Sequence, residues 1–204
     1  MPTEILDGVY DVTWQEGGGR RFRSFVLDDE VPTLIDTCLE DATDALLDGI
    51  DQTGIEPERL IVTHSDPDHV QAFDAVVEEY DLETWVPAQS GLDGDHTFDD
   101  GDTVGRFDAI HVPGHAEDSY VLIDEDQSVA IIGDALMGAD LRGLPEGYLI
   151  MPPEVYSDDL NVAERNLQKL LEYEFDAALV FHGSSVLENA SDKLDIYVEF
   201  PGKP

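Results

Sequence analysis

Four side chains that can bind a metal ion fall within six residues of the sequence. They are His64, Asp66, Asp68 and His69, and they directly follow the apolar run 60–62. A metal site needs several lone-pair donors that converge on one point, and a loop leaving a strand can direct alternate side chains towards it. In a chain this rich in Asp, the segment alone is also consistent with a solvated acidic loop.

Three further potential ligands lie later in the chain. His115, Asp134 and His182 each come at the end of an apolar segment and next to a glycine. Strand ends on one edge of a sheet are where an open α/β architecture gathers a site. These positions, taken with the segment 64–69, therefore predict a metal centre.

Alternating strand and helix patterns must position these side chains. Strand patterns fall at 9–14, 21–27, 33–37, 60–63, 85–87, 107–112, 120–123, 129–132 and 177–181, with a turn at 16–19. Helix patterns fall at 41–50, with Asp41 as the N-cap, and at 69–80, 161–173 and 190–198. The segment 138–160 is rich in Gly and Pro and predicts a long connecting loop. Two similar halves, each with strands before helices, favour a layered α/β sandwich in a single domain, 1–204.

The ionic balance argues against some classes of function. The chain has 47 Asp and Glu against 10 Lys and Arg, a formal charge of -37. Apolar runs recur along the whole length, so the charge does not indicate disorder. We interpret the acidic surface as an adaptation to concentrated salt, as in a halophile, because the Debye length falls to about 3 Å at 1 M. Basic stripes supply most nucleic-acid affinity, so nucleic acid is not an expected partner.

The cysteine content and the first residues bear on location. Cys38 is the only cysteine and cannot form an internal disulfide. The start of the sequence has neither the basic nor the apolar region of a secretory signal, and no apolar run approaches the roughly 18 residues that span a bilayer. We expect a cytoplasmic protein that acts on a small molecule and binds no membrane. The oligomeric state is left open.

The motifs resemble those of the metallo-β-lactamase superfamily of metallo-hydrolases over essentially the whole chain. That family's five motifs fall in order at Asp36, at the run 64–69, and at His115, Asp134 and His182. The resemblance implies a four-layer αβ/βα sandwich of the metallo-β-lactamase type with a binuclear metal centre. It also implies a role for each ligand. One metal would be held by His64, Asp66 and His115, and the second by Asp68, His69 and His182. Asp134 would bridge the two metals. Asp36 would orient a ligand by a hydrogen bond.

Asp66 departs from the family's usual pattern, which has a histidine at this position. A carboxylate there resembles the flavodiiron branch, which uses Glu and binds two irons. With a third carboxylate, a hydroxide-bridged pair of divalent ions is formally neutral, so the centre is a weaker Lewis acid and favours iron or manganese more than usual. The expected cofactor is two divalent transition-metal ions, with zinc placed first and iron or manganese as alternatives.

The resemblance implies a binuclear hydrolase in which a metal-held hydroxide cleaves an ester, thioester or lactone. Asp68 and Asp134 are the expected catalytic residues, and glyoxalase II-like thioester cleavage is the nearest familiar case. The alternative is a diiron or iron-dependent redox enzyme, similar to flavodiiron proteins or persulfide dioxygenases, which Asp66 favours. A β-lactamase fits a cytoplasmic location less well, and no Gly-x-Ser-x-Gly elbow predicts a side-chain nucleophile.

Several other residues have two interpretations. The first group, Arg20, Arg21 and Arg23, either pairs with nearby carboxylates in a hairpin, which we favour, or forms a flap over an anionic substrate. Arg142, Tyr148 and Tyr156 are candidates for a substrate wall in the loop 138–160. We expect His96 to be solvated in an acidic loop, His111 to be packed, and Cys38 to be a small buried residue.

Overall fold

The structure, a computed structural model, describes residues 1–17 and 20–199. The chain divides into two compact units, Met1–Phe98 and Asp99–Pro204. The turn predicted at 16–19 reaches residues 18 and 19, which lie outside the described residues. A single domain over 1–204 stays a prediction.

Within the described residues of the first unit, seven strands form one sheet in the order of the sequence. They are β1 (Thr3–Leu6), β2 (Val9–Gly17), β3 (Arg20–Leu27), β4 (Thr33–Ile35), β5 (Arg59–Ile61), β6 (Glu83–Pro87) and β7 (His96–Phe98). The pairs from β1 to β4 are antiparallel, and those from β4 to β7 are parallel. Because parallel strands end at the same edge of a sheet, the residues that follow β4 and β5 are brought side by side.

Helices α1 (Thr43–Thr53) and α3 (Phe73–Tyr80) cover one face of this sheet, and the short helix α2 (Pro67–Val70) precedes α3. Leu46 and Ile50 of α1 share one buried cluster with the strand residues Val26 and Leu34. Burial of such side chains is the main contribution to the stability of a packed unit. Phe73 and Val76 of α3 belong to the same cluster, so the large apolar side chains of both helices face the core.

Two details of the helix predictions are wrong. Asp41 does not cap α1, because Glu40–Ala42 forms a 3-10 turn and Ala42 occupies the cap position. The single helix predicted at 69–80 is broken between α2 and α3. The backbone N–H of Ala72 donates to the carbonyl oxygen of Cys38 at 3.0 Å, so it is not available to continue the helical ladder.

The second unit has a five-stranded sheet in its described part, in the order β14-β11-β10-β9-β8. Its strands are β8 (Thr103–Val104), β9 (Phe107–His111), β10 (Tyr120–Asp124), β11 (Val129–Gly133), β12 (Met137–Gly138), β13 (Leu149–Ile150) and β14 (Ala177–Val180), of which β12 and β13 form a separate antiparallel pair. Neighbours in the large sheet are antiparallel except β11 and β14, which are parallel. The ends of β9, β11 and β14 therefore lie at the same edge.

Helices α4 (Leu160–Leu167) and α5 (Ala190–Glu199) complete the second unit, with a 3-10 segment at Gln168–Glu172. Leu167 and Leu194 pack with Ile132 and Val180 in one buried cluster. The loop predicted at 138–160 is wrong in part, because the segment contains β13 and two 3-10 turns, Ala139–Arg142 and Glu154–Tyr156. Within residues 1–17 and 20–199, no helix is both long and apolar enough to cross a membrane.

The structure describes the side chains of two of the three clustered arginines, Arg21 and Arg23. Arg23 is buried and its guanidinium lies 2.9 Å from the Asp11 carboxylate, while that of Arg21 lies 3.4 Å from Glu16. The interpretation that these arginines pair with carboxylates is confirmed for both. The side chain of Arg20 is outside the described part of the chain.

The smaller predictions have mixed outcomes. Cys38 is fully buried, as expected. His111 is packed against the ring of Tyr120, with 4.9 Å between the ring centroids. His96 is exposed, as expected, but it lies on β7 and not in a loop, and it makes specific contacts. Its ring stacks on Trp85 at 4.3 Å, and its Nε2 lies 3.0 Å from Glu83, because β6 and β7 pair in register there.

The contact between Glu83 and His96 predicts a pH-dependent contribution to stability. The hydrogen bond with His96 lowers the pKa of Glu83 from its ordinary value of 4.5. A carboxyl whose pKa is lowered by folding stabilises the native state fully above its unfolded pKa, and loses that contribution as the pH falls through its folded pKa. Glu83→Gln should therefore destabilise the protein above pH 4.5, and the difference from wild type should shrink below that pH in urea unfolding experiments.

A matched control for this variant is Glu78→Gln, which removes an exposed carboxylate from α3. We expect a much smaller pH-dependent difference for it. The Glu83 side chain is about half exposed, so solvent screening keeps the effect small. A Glu83→Gln variant that tracks the wild type at every pH would show that the contact with His96 contributes nothing.

Candidate metal centre

In the first unit, His69 is fixed through both its ring and its backbone. Its Nδ1 lies 2.8 Å from Oδ2 of Asp36, the residue directly after β4. Its carbonyl oxygen accepts hydrogen bonds from the backbone N–H of Thr37 at 2.7 Å and from the Thr37 hydroxyl at 2.8 Å. The three residues are buried, so this histidine has little freedom to rotate.

Asp36 is held in an uncommon backbone conformation. Its φ is 56°, in the left-handed region that few residues other than glycine adopt. Its Oδ1 accepts the backbone N–H of Thr63 at 2.6 Å, and its Oδ2 accepts the Thr63 hydroxyl at 2.6 Å. Burial raises the pKa of the Asp36 carboxyl, while the contacts with His69 and Thr63 oppose that rise.

His64 follows β5 and lies beside His69, with 4.0 Å between the ring centroids. Its Nδ1 is 3.1 Å from the Thr63 hydroxyl oxygen. One ligand atom from each of His64, His69 and Asp36 lies within 4.8 Å of the other two. The first unit therefore presents two buried imidazoles whose Nδ1 atoms contact hydrogen-bonding partners.

The two carboxylates of the same segment are more exposed than the histidines. Asp66 occupies the cap position of α2, and its Oδ2 lies 3.9 Å from Nε2 of His64. Asp68 lies on α2, one residue before His69, and is partly buried. Both carboxylates thus stand next to the buried histidines in the segment that the sequence singled out.

In the second unit, three predicted ligands meet at one edge of the sheet. Asp134 follows β11 and His182 follows the parallel strand β14, and the Nε2 of His182 lies 3.2 Å from Oδ2 of Asp134. His115 follows β9, and its Nε2 lies 3.6 Å from the same oxygen. All three side chains are buried. The predicted grouping of these three residues is therefore observed within the unit.

The segment 140–158 supports two of these histidines in ways that the sequence did not reveal. Ser157 Oγ lies 3.4 Å from Nδ1 of His115, and the N–H of Asp158 donates to the His115 carbonyl at 2.9 Å. The Asp140 carboxylate accepts the N–H of Ser184 at 2.7 Å and its hydroxyl at 3.1 Å, which anchors the turn after His182. The length of the predicted loop indicated a functional role for the segment, but not that it would support these histidines.

The donor set fits divalent transition-metal ions. Imidazole nitrogen and carboxylate oxygen are the ligands that zinc, iron and manganese accept in proteins. Histidines that bind metal through one nitrogen usually hold a hydrogen bond at the other, which orients the ring. His64, His69 and His115 each have such a contact at Nδ1. In each unit the residues are therefore suited to bind a divalent metal.

Known proteins resemble the chain in sequence and in fold. A hydroxyacylglutathione hydrolase from Chelativorans sp. is 31% identical over 144 residues, which are 66% of this chain and 55% of that protein. A metallo-β-lactamase from Pontibacter korlensis superposes with a TM-score of 0.75 at 17% identity, covering 96% of this chain and 95% of the other. Rubredoxin oxygen:oxidoreductase from Desulfovibrio gigas superposes with a TM-score of 0.74 at 19% identity, covering 98% and 62%. No protein-family model matches the chain.

These likenesses identify the class of fold. The predicted α/β fold of the metallo-β-lactamase type is confirmed, and the chain resembles hydrolases of that superfamily in sequence. It spans 55% to 59% of the length of the curated relatives that it matches. The activity and substrate of those longer proteins are considered below as proposals.

Proposed function

We propose that this chain is a metal-dependent hydrolase that cleaves an ester, thioester or lactone bond in a small molecule. The observation that carries the proposal is the buried carboxylate of Asp134, which lies 3.2 Å from His182 and 3.6 Å from His115. Carboxylates shared by two imidazoles at the edge of a sheet are suited to hold a metal where substrate can reach it. His64 and His69, which contact Thr63 and Asp36 respectively through Nδ1, support the same proposal.

The proposed ligand set combines both groups of side chains. One metal would be bound by His64, Asp66 and His115, the other by Asp68, His69 and His182, with Asp134 shared between them. When bound, such a pair supplies an acidified water and polarises the oxygen of the scissile bond. Asp68 and Asp134, as ionised carboxylates, would accept hydrogen bonds and orient the attacking water and the leaving group.

The proposed bond class follows from one relative. The Chelativorans protein is a hydroxyacylglutathione hydrolase, so a hydroxyacyl group carried by glutathione is the first substrate to test. The chain spans only 55% of that relative, and a small lactone and a simple ester therefore belong in the same panel. We also propose a cytoplasmic location and a halophilic source, which rest on the single buried Cys38 and the charge of -37.

A second candidate is iron-dependent redox chemistry. Asp66 adds a hard oxygen donor beside His64, which shifts the preference of the site from zinc towards iron. The superposition on rubredoxin oxygen:oxidoreductase is consistent with this candidate at the level of the fold. Because 19% identity speaks for the fold alone, Asp66 is the specific observation that favours it.

The test loads the purified full chain with zinc, iron(II) or manganese and measures hydrolysis of the three substrate types. We expect chelator-sensitive hydrolysis of at least one substrate, restored by added metal and lost in Asp134→Ala. His96→Ala removes a histidine that stacks on Trp85 and should retain the activity. A protein that hydrolyses nothing but consumes oxygen with iron and a reductant would support the redox candidate, and failure to bind any metal would contradict both.

A further inference from the structure

The Thr63 side chain contacts both Asp36, which would orient a metal ligand, and His64, which would bind a metal. Its hydroxyl oxygen lies 2.6 Å from Oδ2 of Asp36 and 3.1 Å from Nδ1 of His64. The same Oδ2 lies 2.8 Å from Nδ1 of His69. All four residues are buried, so these contacts are protected from competition with bulk water.

A hydroxyl has one hydrogen to donate, and that number fixes the direction of the chain of hydrogen bonds. The Thr63 hydroxyl donates its one hydrogen to Oδ2 of Asp36. Towards His64 the hydroxyl oxygen must then act as the acceptor, and His64 must carry its hydrogen on Nδ1. A neutral imidazole protonated on Nδ1 keeps its lone pair on Nε2, which is the form that binds a metal.

We propose that Thr63 is a positioning residue through which the Asp36 carboxylate sets the tautomer and ring orientation of His64. Asp36 thereby fixes two imidazoles, His69 by direct contact and His64 through the Thr63 hydroxyl. The metal-binding consequence rests on the proposed function, whereas the tautomer of His64 can be measured without metal.

The effect of removing the Thr63 hydroxyl can be separated from the effect of breaking the backbone hydrogen bond between Thr63 and Asp36. The backbone N–H of Thr63 also donates to Oδ1 of Asp36 at 2.6 Å, and this bond does not involve the side chain. Thr63→Val deletes the hydroxyl while keeping a branched side chain and the backbone bond. Thr63→Ser keeps the hydroxyl and deletes the methyl group, so the two variants distinguish hydrogen bonding from packing.

The first measurement is a long-range proton–nitrogen NMR spectrum of the metal-free full chain. In the wild type we expect both His64 and His69 to carry hydrogen on Nδ1. In Thr63→Val, His64 should lose this preference and His69 should keep it, while Thr63→Ser should resemble the wild type. A wild-type His64 protonated on Nε2, or an unchanged His64 in Thr63→Val, would overturn the proposal whether or not the protein is a hydrolase.

The second measurement is zinc affinity by competition with a chelating dye. Loss of a hydrogen-bonding partner of a metal-binding histidine typically weakens binding by about 10- to 100-fold, which we expect for Thr63→Val and not for Thr63→Ser. The control is Thr33→Val, which removes a buried threonine hydroxyl bonded to the carbonyl of Val31. Equal losses in Thr63→Val and Thr63→Ser would show that packing, and not the hydroxyl, is responsible.

Discussion

Zinc at a free concentration about 1,000 times its dissociation constant should raise the free energy of unfolding by about 4 kcal/mol, because it binds the native state and not the unfolded chain. Asp134→Ala should remove most of this gain. The Asp134 carboxylate lies within 3.6 Å of both His115 and His182, so its loss takes a ligand from each proposed metal position. Urea unfolding followed by tryptophan fluorescence, with and without zinc, measures the difference.

The control for this experiment is again a histidine outside the candidate centre. His96→Ala should be stabilised by zinc as much as the wild type, since His96 contacts Glu83 and Trp85. A chelator should return the wild type to the stability of the metal-free protein. Zinc stabilisation of equal size in Asp134→Ala and wild type would mean that the ion binds elsewhere, and the proposed ligand set would be wrong.

Raising the salt concentration from 0.1 M to 1 M should increase the thermal transition temperature by roughly 3 to 6 °C. The chain carries a formal charge of -37, and two like charges about 4 Å apart in water repel by about 1 kcal/mol. The Debye length falls from about 10 Å to about 3 Å over this range, so each contact of this kind is relieved by about 0.4 kcal/mol. About four such contacts contribute about 1.6 kcal/mol, and each kcal/mol shifts the transition of a domain this size by about 2 to 4 °C. Calorimetry of the metal-free protein across this range measures the shift.

A single substitution on α1 tests whether carboxylate repulsion is the cause. Asp44 and Asp48 are exposed and four residues apart, so they form a like-charge pair on one helix face. Asp48→Lys converts it to an attractive pair and should stabilise the protein by about 0.5 kcal/mol at low salt, with a smaller gain at 1 M. Asp48→Asn only removes the repulsion, so its stability should lie between those of the wild type and Asp48→Lys. No dependence on salt in any of these proteins would refute the interpretation of the acidic surface.

The parts of the site that the sequence predicted are those that local pattern controls. His64, Asp134 and His182 each come just after a run of apolar residues, and such runs proved to be buried strands. The end of a strand can be predicted because the alternating or continuous pattern of apolar residues stops where the chain leaves the sheet. Within the second unit, the edge at which Asp134 and His182 meet then follows from the parallel direction of β11 and β14.

The parts that could not be predicted depend on contacts between distant positions. The helix predicted at 69–80 is interrupted because the backbone N–H of Ala72 donates to the carbonyl oxygen of Cys38. The apolar periodicity of residues 69–80 does not indicate that hydrogen bond. Thr63 ends the predicted strand 60–63, and the sequence assigns it no role, because its partner Asp36 follows a different strand. The pairing of β12 with β13 involves two residues in each strand, too few to produce an alternating pattern.

The left-handed backbone of Asp36 leaves this position without a substitute among the other amino acids. Only glycine, asparagine and aspartate adopt a positive φ at low cost, and φ here is 56°. Glycine would give no acceptor, and asparagine would offer one oxygen where the carboxylate now receives hydrogens on both. Glutamate keeps the charge but disfavours the backbone conformation. Two unrelated demands, one conformational and one chemical, thus restrict position 36 to a single residue type.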